Sequence, residues 1–362
     1  MDEKRVEKIE NLFVTALNNN VFSGAAFSFS RWSDGYYYRL MKYYGYAERN
    51  PEIKQLSKDH IFDLASLTKP LATVPVLLNL FHRKCITPET RLIEIFSFCP
   101  PDKSEITVKQ LMSHCSGFPP YRDYFNELIK IPEQNRKEQL FKNIFREKLL
   151  SKPGRIHCYS DIGFMLLGLI IEKITANDIG ALACSCIYTP SGLQNDLFFP
   201  GLSEKGNRPY VSTEKCLWSE KMLCGTVHDD NCRAIGGVAG HAGLFGTLQG
   251  VSCFCEQLLD QWQGRGKHQA YSNELVSKIL TRVGQSTWTM GFDMVSEKDS
   301  SSGKYFSKKS VGHLGFTGTS FWIDPEKDCI AVLLTNRVHP SRDNWKIKEF
   351  RPVFHDLLME SS

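Results

Sequence analysis

Apolar and polar positions show two different periodicities along the chain, and these periodicities predict which segments are helices and which are strands. Residues 4–19 carry apolar side chains at helical spacing, the pattern of an amphipathic helix. Two β-rich runs follow at 24–32 and 36–46, and the Asp-Gly pair between them is typical of a hairpin turn. Residues 66–82 are apolar around most of the helical circumference, which predicts a helix buried in the core.

The rest of the chain divides into a mostly helical middle, irregular loops at 177–235, a glycine-rich segment at 236–246 and a strand-rich end. The further elements predicted are helices at 108–114, 134–150, 161–173, 249–264 and 343–359 and strands at 290–295, 313–323 and 329–336. The expected fold class is α+β, with one antiparallel sheet flanked by the N- and C-terminal helices and an inserted helical lobe.

This pattern also predicts the domain organisation. We interpret 1–362 as a single domain of two lobes. Residues 1–85 with 236–362 would form the sheet-containing lobe. Residues 86–235 would form the mainly helical lobe with irregular loops.

The composition is informative mainly because it gives reasons against several classes of partner. The 362 residues are 42% hydrophobic and 23% charged, as in ordinary soluble globular proteins. The net charge of +4, without a basic run, gives no reason to expect a nucleic-acid partner. No apolar stretch reaches the roughly 18 residues of a membrane span, so we expect no membrane partner. The N-terminus carries alternating charges and no apolar signal region, so we expect a cytoplasmic protein.

The twelve cysteines indicate thiols rather than a metal site or a disulfide framework. None of them forms a C-x-x-C pair, and the two C-x-C pairs have no histidine nearby. We therefore expect no metal and no organic cofactor, and the oligomeric state is unknown from sequence.

Ser66 and Lys69 are the first candidates for chemistry. One helical turn places them side by side, and a lysine buried in an apolar helix has a lowered pKa that lets it accept the hydroxyl proton. The same S-x-x-K spacing occurs at 212–215 and 301–304, but there it lies in polar stretches. On the motif alone, an N-cap serine with a lysine that extends to solvent fits equally well.

Tyr159 stands at the entrance of the predicted helix at 161–173. Next to a lysine ammonium the pKa of its phenol would fall, and the phenol would then shuttle protons. The structural alternative is an ordinary tyrosine beside a helix that Ser160 or Asp161 caps.

The segment Gly312–Gly318 has three glycines in seven residues and lies on the predicted strand 313–323. Glycines at this density indicate that another group approaches the backbone closely. The Phe316 and Ser66 N–H groups would then form a two-donor oxyanion hole. A glycine-rich bulge is the alternative.

These three segments, in this order, resemble the serine β-lactamase and penicillin-binding protein superfamily, whose motifs are S-x-x-K, Y-x-N and a K/H-x-G strand. The chain is similar to the class C β-lactamase-like branch, which includes esterases and D-amino-acid peptidases. The resemblance runs from about Gly24 to His339 and includes 62–71, 111–119, 159–164, 236–247 and 334–337.

The resemblance implies a catalytic domain without cofactors. In it Ser66 is the acylated nucleophile, Lys69 is its proton acceptor and Tyr159 relays protons to the leaving group. His313 and Gly315 stand in the third motif.

Two departures from the family motifs bear on the substrate. Asp161 stands where the second motif usually has Asn, and an ionised carboxylate only accepts hydrogen bonds. It could instead pair with Lys69 and hold it protonated, which would favour Tyr159 as the base. His313 stands where true β-lactamases usually have Lys, and a mostly neutral imidazole is a poor partner for a β-lactam carboxylate.

We therefore expect a serine hydrolase that acts through an acyl-enzyme on a small ester or amide, most simply an esterase. The substrate-binding groups would be Phe316, His313, Gly315 and Asp161. The alternatives are a D-amino-acid peptidase or amidase acting on peptidoglycan fragments, a weak β-lactamase, and a catalytically silent scaffold.

Other candidates have simpler interpretations. His114 and His241 are interpreted as structural, and residues 227–231 as a capped helix start. Arg337 is expected either to bind a substrate carboxylate or to form a structural ion pair. Trp288 and Trp322 are expected in the core or the cleft wall.

Overall fold

A computed structural model describes residues 3–202 and 208–360. The first half of the chain contains α1 (Glu3–Asn18), β1 (Gly24–Ser33), β2 (Tyr36–Glu48), β3 (Lys54–Gln55), β4 (Phe62–Asp63), α2 (Val74–His82), α3 (Leu92–Ile95), α4 (Val108–Met112), α5 (Phe125–Leu128), α6 (Glu133–Arg146) and α7 (Asp161–Thr175). The second half contains α8 (Ile179–Leu182), β5 (Leu197–Phe198), α9 (Asp230–Ala234), β6 (Phe245–Gly246), α10 (Leu248–Trp262), α11 (Asn273–Ile279), β7 (Asp293–Met294), β8 (Val311–Leu314), β9 (Ser320–Asp324), β10 (Cys329–Thr335) and α12 (Ile347–Met359).

The main sheet has seven strands in the order β3-β2-β1-β10-β9-β8-β7, and all neighbours are antiparallel. Because β1 pairs with β10, the two ends of the chain share the centre of this sheet. A small three-stranded sheet, β4-β6-β5, lies next to the segment that carries Ser66.

Alternation along β1 explains the two layers that cover the sheet. Phe27 packs with Phe13 of α1 and Phe354 of α12 on one face. Ala26, one residue earlier, joins the larger core that contains α2, α7 and α10 on the other face. The predicted α+β class, an antiparallel sheet flanked by the terminal helices, is confirmed. The division into lobes at 85 and 236 stays a prediction.

The helix predicted at 66–82 is composite. A 3-10 turn at Ala65–Leu67 is followed by a π-helical segment at Lys69–Thr73 and then by α2. Pro70 and Pro75 each lie within the first two positions of their own segment, where no intrahelical N–H is required. Pro75 therefore lies where the π-helical segment changes to the α-helix of α2.

Three other predictions were too simple. The loops predicted at 177–235 contain α8, a π-helical segment at Ala183–Tyr188, β5 and α9; part of this range lies outside the described residues. The strand predicted at 290–295 is only the two residues of β7. The strand predicted at 313–323 is two strands, β8 and β9, joined by a tight turn. Gly318 in that turn has φ +108°, a value that a strand does not allow.

Candidate active site

The backbone next to Ser66 is strained, and a hydrogen bond to the Asp63 carboxylate holds it in place. Ala65 has φ +48°, which is unfavourable for a residue with a Cβ atom. Its N–H donates to Asp63 Oδ1 at 2.9 Å, and Asp63 Oδ2 accepts from the His228 N–H at 2.7 Å. Strain of this kind persists only where surrounding contacts enforce it, and it often accompanies functional residues.

Lys69 lies at the centre of the site, with its side chain fully buried. Its ammonium donates to Ser66 Oγ at 2.9 Å, to the Tyr159 hydroxyl at 2.6 Å and to Asp161 Oδ1 at 2.7 Å. The His241 carbonyl accepts a longer contact at 3.3 Å. The structure thus brings together the predicted nucleophile, both predicted proton carriers and Asp161.

Asp161 determines the protonation state of this group. Burial opposes the charge of Lys69, but attraction to Asp161 and to Tyr159 outweighs it and raises the pKa of Lys69. Burial, together with the negative charge of Asp161, raises the pKa of Tyr159 to about 12, although Lys69 acts in the opposite direction. The predicted lowering of the pKa is therefore wrong for both Lys69 and Tyr159: Asp161 raises the pKa of Lys69, and burial together with Asp161 outweighs the effect of Lys69 on Tyr159.

His114 and Ser160 position Tyr159. The Ser160 N–H donates to His114 Nδ1 at 3.1 Å, and the His114 ring lies 4.6 Å from the Tyr159 ring. Ser160 Oγ accepts from the Gly163 N–H at 3.2 Å and so caps α7. Burial and the nearby Lys69 charge lower the pKa of His114, which keeps its ring neutral. Its predicted structural role agrees with these contacts.

The turn between β8 and β9 lies against the Ser66 segment. Thr317 Oγ1 donates to the Asp63 carbonyl at 2.8 Å, and Thr319 Oγ1 donates to the Leu64 carbonyl at 3.1 Å. A Cβ on Gly315 would overlap the Thr319 side chain and the Leu64 carbonyl, so only glycine fits there. These contacts fix Phe316, the proposed second oxyanion donor, next to the nucleophile segment.

Two arginines hold the carbonyls of the same turn. Arg337 Nε donates to the Phe316 carbonyl at 2.7 Å, and Arg351 of α12 donates to the Gly315 and Thr319 carbonyls at 3.1 and 2.8 Å. Arg337 also donates to two further backbone carbonyls and packs on the rings of Phe316 and Trp345. The expectation of an ion pair for Arg337 is therefore corrected: its hydrogen bonds go to carbonyl groups.

His313 lies on β8 and is buried. Burial and the charge of Lys69 lower its pKa to about 3, so the imidazole is neutral near pH 7. Its Nδ1 contacts the Leu314 carbonyl at 2.9 Å, while Nε2 has no hydrogen-bond partner among the described residues.

Two cavities meet at Ser66, Tyr159 and Asp161. The first, of about 310 Å³, extends past His313 toward α12 and is lined by Trp288, Trp345, Asp293, Arg337, Lys348 and Arg351 among others. The second, of about 360 Å³, extends toward α9 and is lined by Tyr121, Asp123, His228, Asp229, Asp230 and Arg342 among others. Phe316 lies between them and borders both.

Sequence reasoning placed Trp288 correctly in the cleft wall and the segment 227–231 at a capped helix start, where Asp229 accepts from the Cys232 N–H. It missed Lys348 and Arg351. Their spacing of three residues on α12 puts both on one helical face, and that signal was available in the sequence. Only the hydrogen bonds of Arg351 to the turn after β8, and the cavity lining itself, show that this face meets the cleft.

No group of three or more metal-binding side chains is arranged around a possible ion within residues 3–202 and 208–360. Within the same ranges, no helix is both long enough and apolar enough to cross a membrane.

Comparison with known proteins finds relatives that match most of the chain. A protein of Escherichia coli strain K12 named "Putative D-alanyl-D-alanine carboxypeptidase" is 30% identical over 304 residues, which cover 77% of this chain and 69% of that protein. The solved structure of the octameric penicillin-binding protein homologue from Pyrococcus abyssi matches with a TM-score of 0.77 at 18% identity, over 100% of this chain and 78% of that one. EstCE1, described as a hydrolase with promiscuous acyltransferase activity, matches with a TM-score of 0.75 at 15% identity, over 98% of both chains.

The two structural matches, both below 25% identity, concern the fold alone. The family model described as Beta-lactamase matches residues 23–350, which is most of the chain. That range includes Ser66, Lys69, Tyr159 and His313. The chain therefore belongs to the β-lactamase family of serine hydrolases.

Proposed function

We propose that this protein hydrolyses small esters through an acyl-enzyme on Ser66. One observation carries the proposal: the Lys69 ammonium contacts Ser66 Oγ and the Tyr159 hydroxyl at once, at 2.9 and 2.6 Å. A nucleophile in contact with a proton carrier, which a third group orients, is the arrangement that covalent catalysis requires.

The reaction begins with the loss of one proton from the Lys69–Tyr159 pair. Because Asp161 keeps the lysine charged, we assign the loss to the Tyr159 phenol, whose phenolate the ammonium stabilises. Ser66 Oγ then attacks the substrate carbonyl while its proton passes to Tyr159. The Ser66 and Phe316 N–H groups stabilise the oxyanion, and Tyr159 returns the proton to the leaving oxygen. Water repeats these steps to release the acid.

The ester preference rests on His313. A neutral imidazole at the third motif offers no charge to a β-lactam carboxylate, so a substrate that places no carboxylate against His313 fits best. Carboxypeptidase activity is a second candidate, because Arg337, Lys348 and Arg351 place positive charge in the cavity just beyond His313. The name of the Escherichia coli relative also favours this candidate.

The nucleophile assignment is tested by labelling with a fluorophosphonate and measuring the intact mass. We expect one adduct on the wild-type protein and none on Ser66→Ala. Ser301→Ala is the matched control, since it removes the serine of another S-x-x-K pair and should leave labelling unchanged. No adduct on the wild type, or equal labelling of Ser66→Ala, contradicts the proposal. Hydrolysis of short nitrophenyl esters and of a D-alanyl-D-alanine peptide then separates the two candidates.

A further inference from the structure

The two cavities that meet at Ser66 have opposite electrostatic character. The cavity next to α12, which we call the basic cavity, is lined by Arg337, Lys348 and Arg351. The cavity next to α9, which we call the acidic cavity, is lined by four aspartates against one arginine. Each substrate bound across Ser66 must therefore place one end in each field.

The positive charge of the basic cavity is not compensated by the protein. Arg337 and Arg351 are both buried, and the hydrogen bonds that they donate go to backbone carbonyls. None of the three cations forms an ion pair with an acidic side chain of the described residues. Two carboxyl groups of the described residues line this cavity: Asp161 is paired with Lys69, and Asp293 has its pKa raised to about 7 by burial, which leaves it partly neutral at pH 7.

Two buried nitrogens in the basic cavity lack a partner. His313 is 2% exposed, and its Nε2 is the unprotonated nitrogen of a neutral ring whose Nδ1 donates to the Leu314 carbonyl, so this nitrogen accepts hydrogen bonds and does not bind a carboxylate. Arg351 is 6% exposed, and its Nε is a donor with no hydrogen-bond acceptor within residues 3–202 and 208–360. A buried donor without a partner is costly, and a substrate acceptor that reaches it recovers the cost. A carboxylate supplies both the acceptor atoms and the missing negative charge.

Three of the four aspartates in the acidic cavity already have basic partners, because Asp230 also pairs with Arg233, and Asp123 carries the charge that is uncompensated among the described residues. The one arginine of this cavity, Arg342, is already paired with Asp230 and with Glu214. Asp229 accepts from His241 Nε2 at 2.9 Å, and Asp161 contacts Lys69. Asp123 is exposed at the cavity wall and has no ion pair within the described ranges. A protonated amine satisfies carboxylates arranged in this way.

We infer that the natural substrate is a short zwitterion that lies across Ser66, with its protonated amine in the acidic cavity and its carboxylate in the basic cavity. This inference rests on the proposed acyl-enzyme function and names its substrate class. The scissile carbonyl then lies between the two charges. An example is an amino acid with a free amine that is joined, through an ester or amide bond, to a group that carries a carboxylate. The esterase and carboxypeptidase candidates both accommodate such a molecule.

The test compares three aryl esters. The first, the alanyl ester of 3-hydroxybenzoate, carries the amine on the acyl part and the carboxylate on the leaving group. The second, the adipate half-ester of tyramine, reverses these charges. The third, phenyl propionate, is neutral. Phenol release is followed by absorbance, corrected for spontaneous hydrolysis. We expect one zwitterion to exceed the neutral ester in kcat/KM by on the order of 100-fold, about tenfold for each paired charge.

Single-residue variants test whether the preference for a zwitterionic ester arises from the charges in the two cavities. Asp123→Asn and Lys348→Met should each reduce the preference for the favoured zwitterion over phenyl propionate by about tenfold. Glu89→Gln and Lys109→Met remove the same charges from exposed positions outside both cavities and should leave the preference unchanged. Hydrolysis of phenyl propionate at a rate equal to or above both zwitterions overturns the inference while leaving the acyl-enzyme proposal intact. Failure of Ser66 to label contradicts the acyl-enzyme proposal itself.

Discussion

Replacement of Asp161 by Asn should move the pH dependence of acylation toward lower pH. Asp161 raises the pKa of Lys69 and also that of Tyr159, so loss of its charge lowers both. The direction of the change is therefore the same whichever of the two groups accepts the Ser66 proton. The observed midpoint belongs to the coupled pair rather than to either side chain.

The geometry sets the size of this change. Asp161 Oδ1 lies 2.7 Å from Lys69 Nζ, and its side chain is only 19% exposed. An opposite charge at this range alters a pKa by about 1–3, which corresponds to roughly 1.4–4 kcal/mol. At a pH well below both midpoints, a pKa that is lower by about 1 leaves about ten times more of the pair deprotonated.

The assay is the initial burst of nitrophenol from a neutral nitrophenyl ester, measured from pH 5 to pH 11. In wild-type protein the acylation rate constant should rise with pH into the alkaline range, and the variant should reach half its maximum at a pH lower by about 1 or more. Asp161→Glu keeps the charge and serves as control, and thermal unfolding verifies that each variant is folded. An unchanged midpoint in Asp161→Asn would refute the conclusion that Asp161 holds the pair protonated.

Three further predictions follow from individual contacts. Lys69→Met should lower kcat/KM for the nitrophenyl ester by roughly 10³–10⁴-fold, whereas Lys304→Met, in a second S-x-x-K pair, should not change it. Because the pKa of His313 is lowered from 6.5 to about 3, the folded state binds this proton less readily than the unfolded state. Its contribution is complete above pH 6.5 and is lost as the pH falls toward 3, so the free energy of unfolding in urea should decrease by up to about 1.4 kcal/mol per pH unit, with a smaller slope in His313→Gln. Arg337→Lys removes the guanidinium that binds the Phe316 carbonyl; kcat should fall while KM changes little, and unfolding in urea should show a loss of about 2 kcal/mol.

The parts of the site that sequence predicted best are those governed by local spacing. Ser66 and Lys69 meet because they are three residues apart on a helical turn, and this holds although the turn is 3-10 and π-helical rather than α-helical. The central strands were predicted because β1 and β10 are uninterrupted runs of residues that favour strands, and the two runs pair along their whole register. The strand at 313–323 was wrong because its apolar pattern continues through the turn, while the backbone reverses at Gly318.

Properties set by distant residues were not predictable in the same way. The pKa of Tyr159 depends on its burial and on the orientation of Asp161 toward Lys69, and neither follows from the order of the motifs. Arg351 reaches the turn after β8 because α12 packs across the sheet edge. Such a contact joins segments with no common periodicity, so no local pattern indicates it.

The two arginines that hold the turn after β8 also link activity to the order of synthesis. Ser66 and Tyr159 leave the ribosome early, whereas Arg337 and Arg351 come from the last strand-to-helix segment of the described chain. Until residue 351 has been added and α12 has docked, the Gly315 and Phe316 carbonyls have no partner to fix the peptide that bears the oxyanion donor. We therefore expect the growing polypeptide to contain Ser66 and Lys69 before the proposed oxyanion donor is held in place, and to become able to hydrolyse a substrate only after α12 has docked.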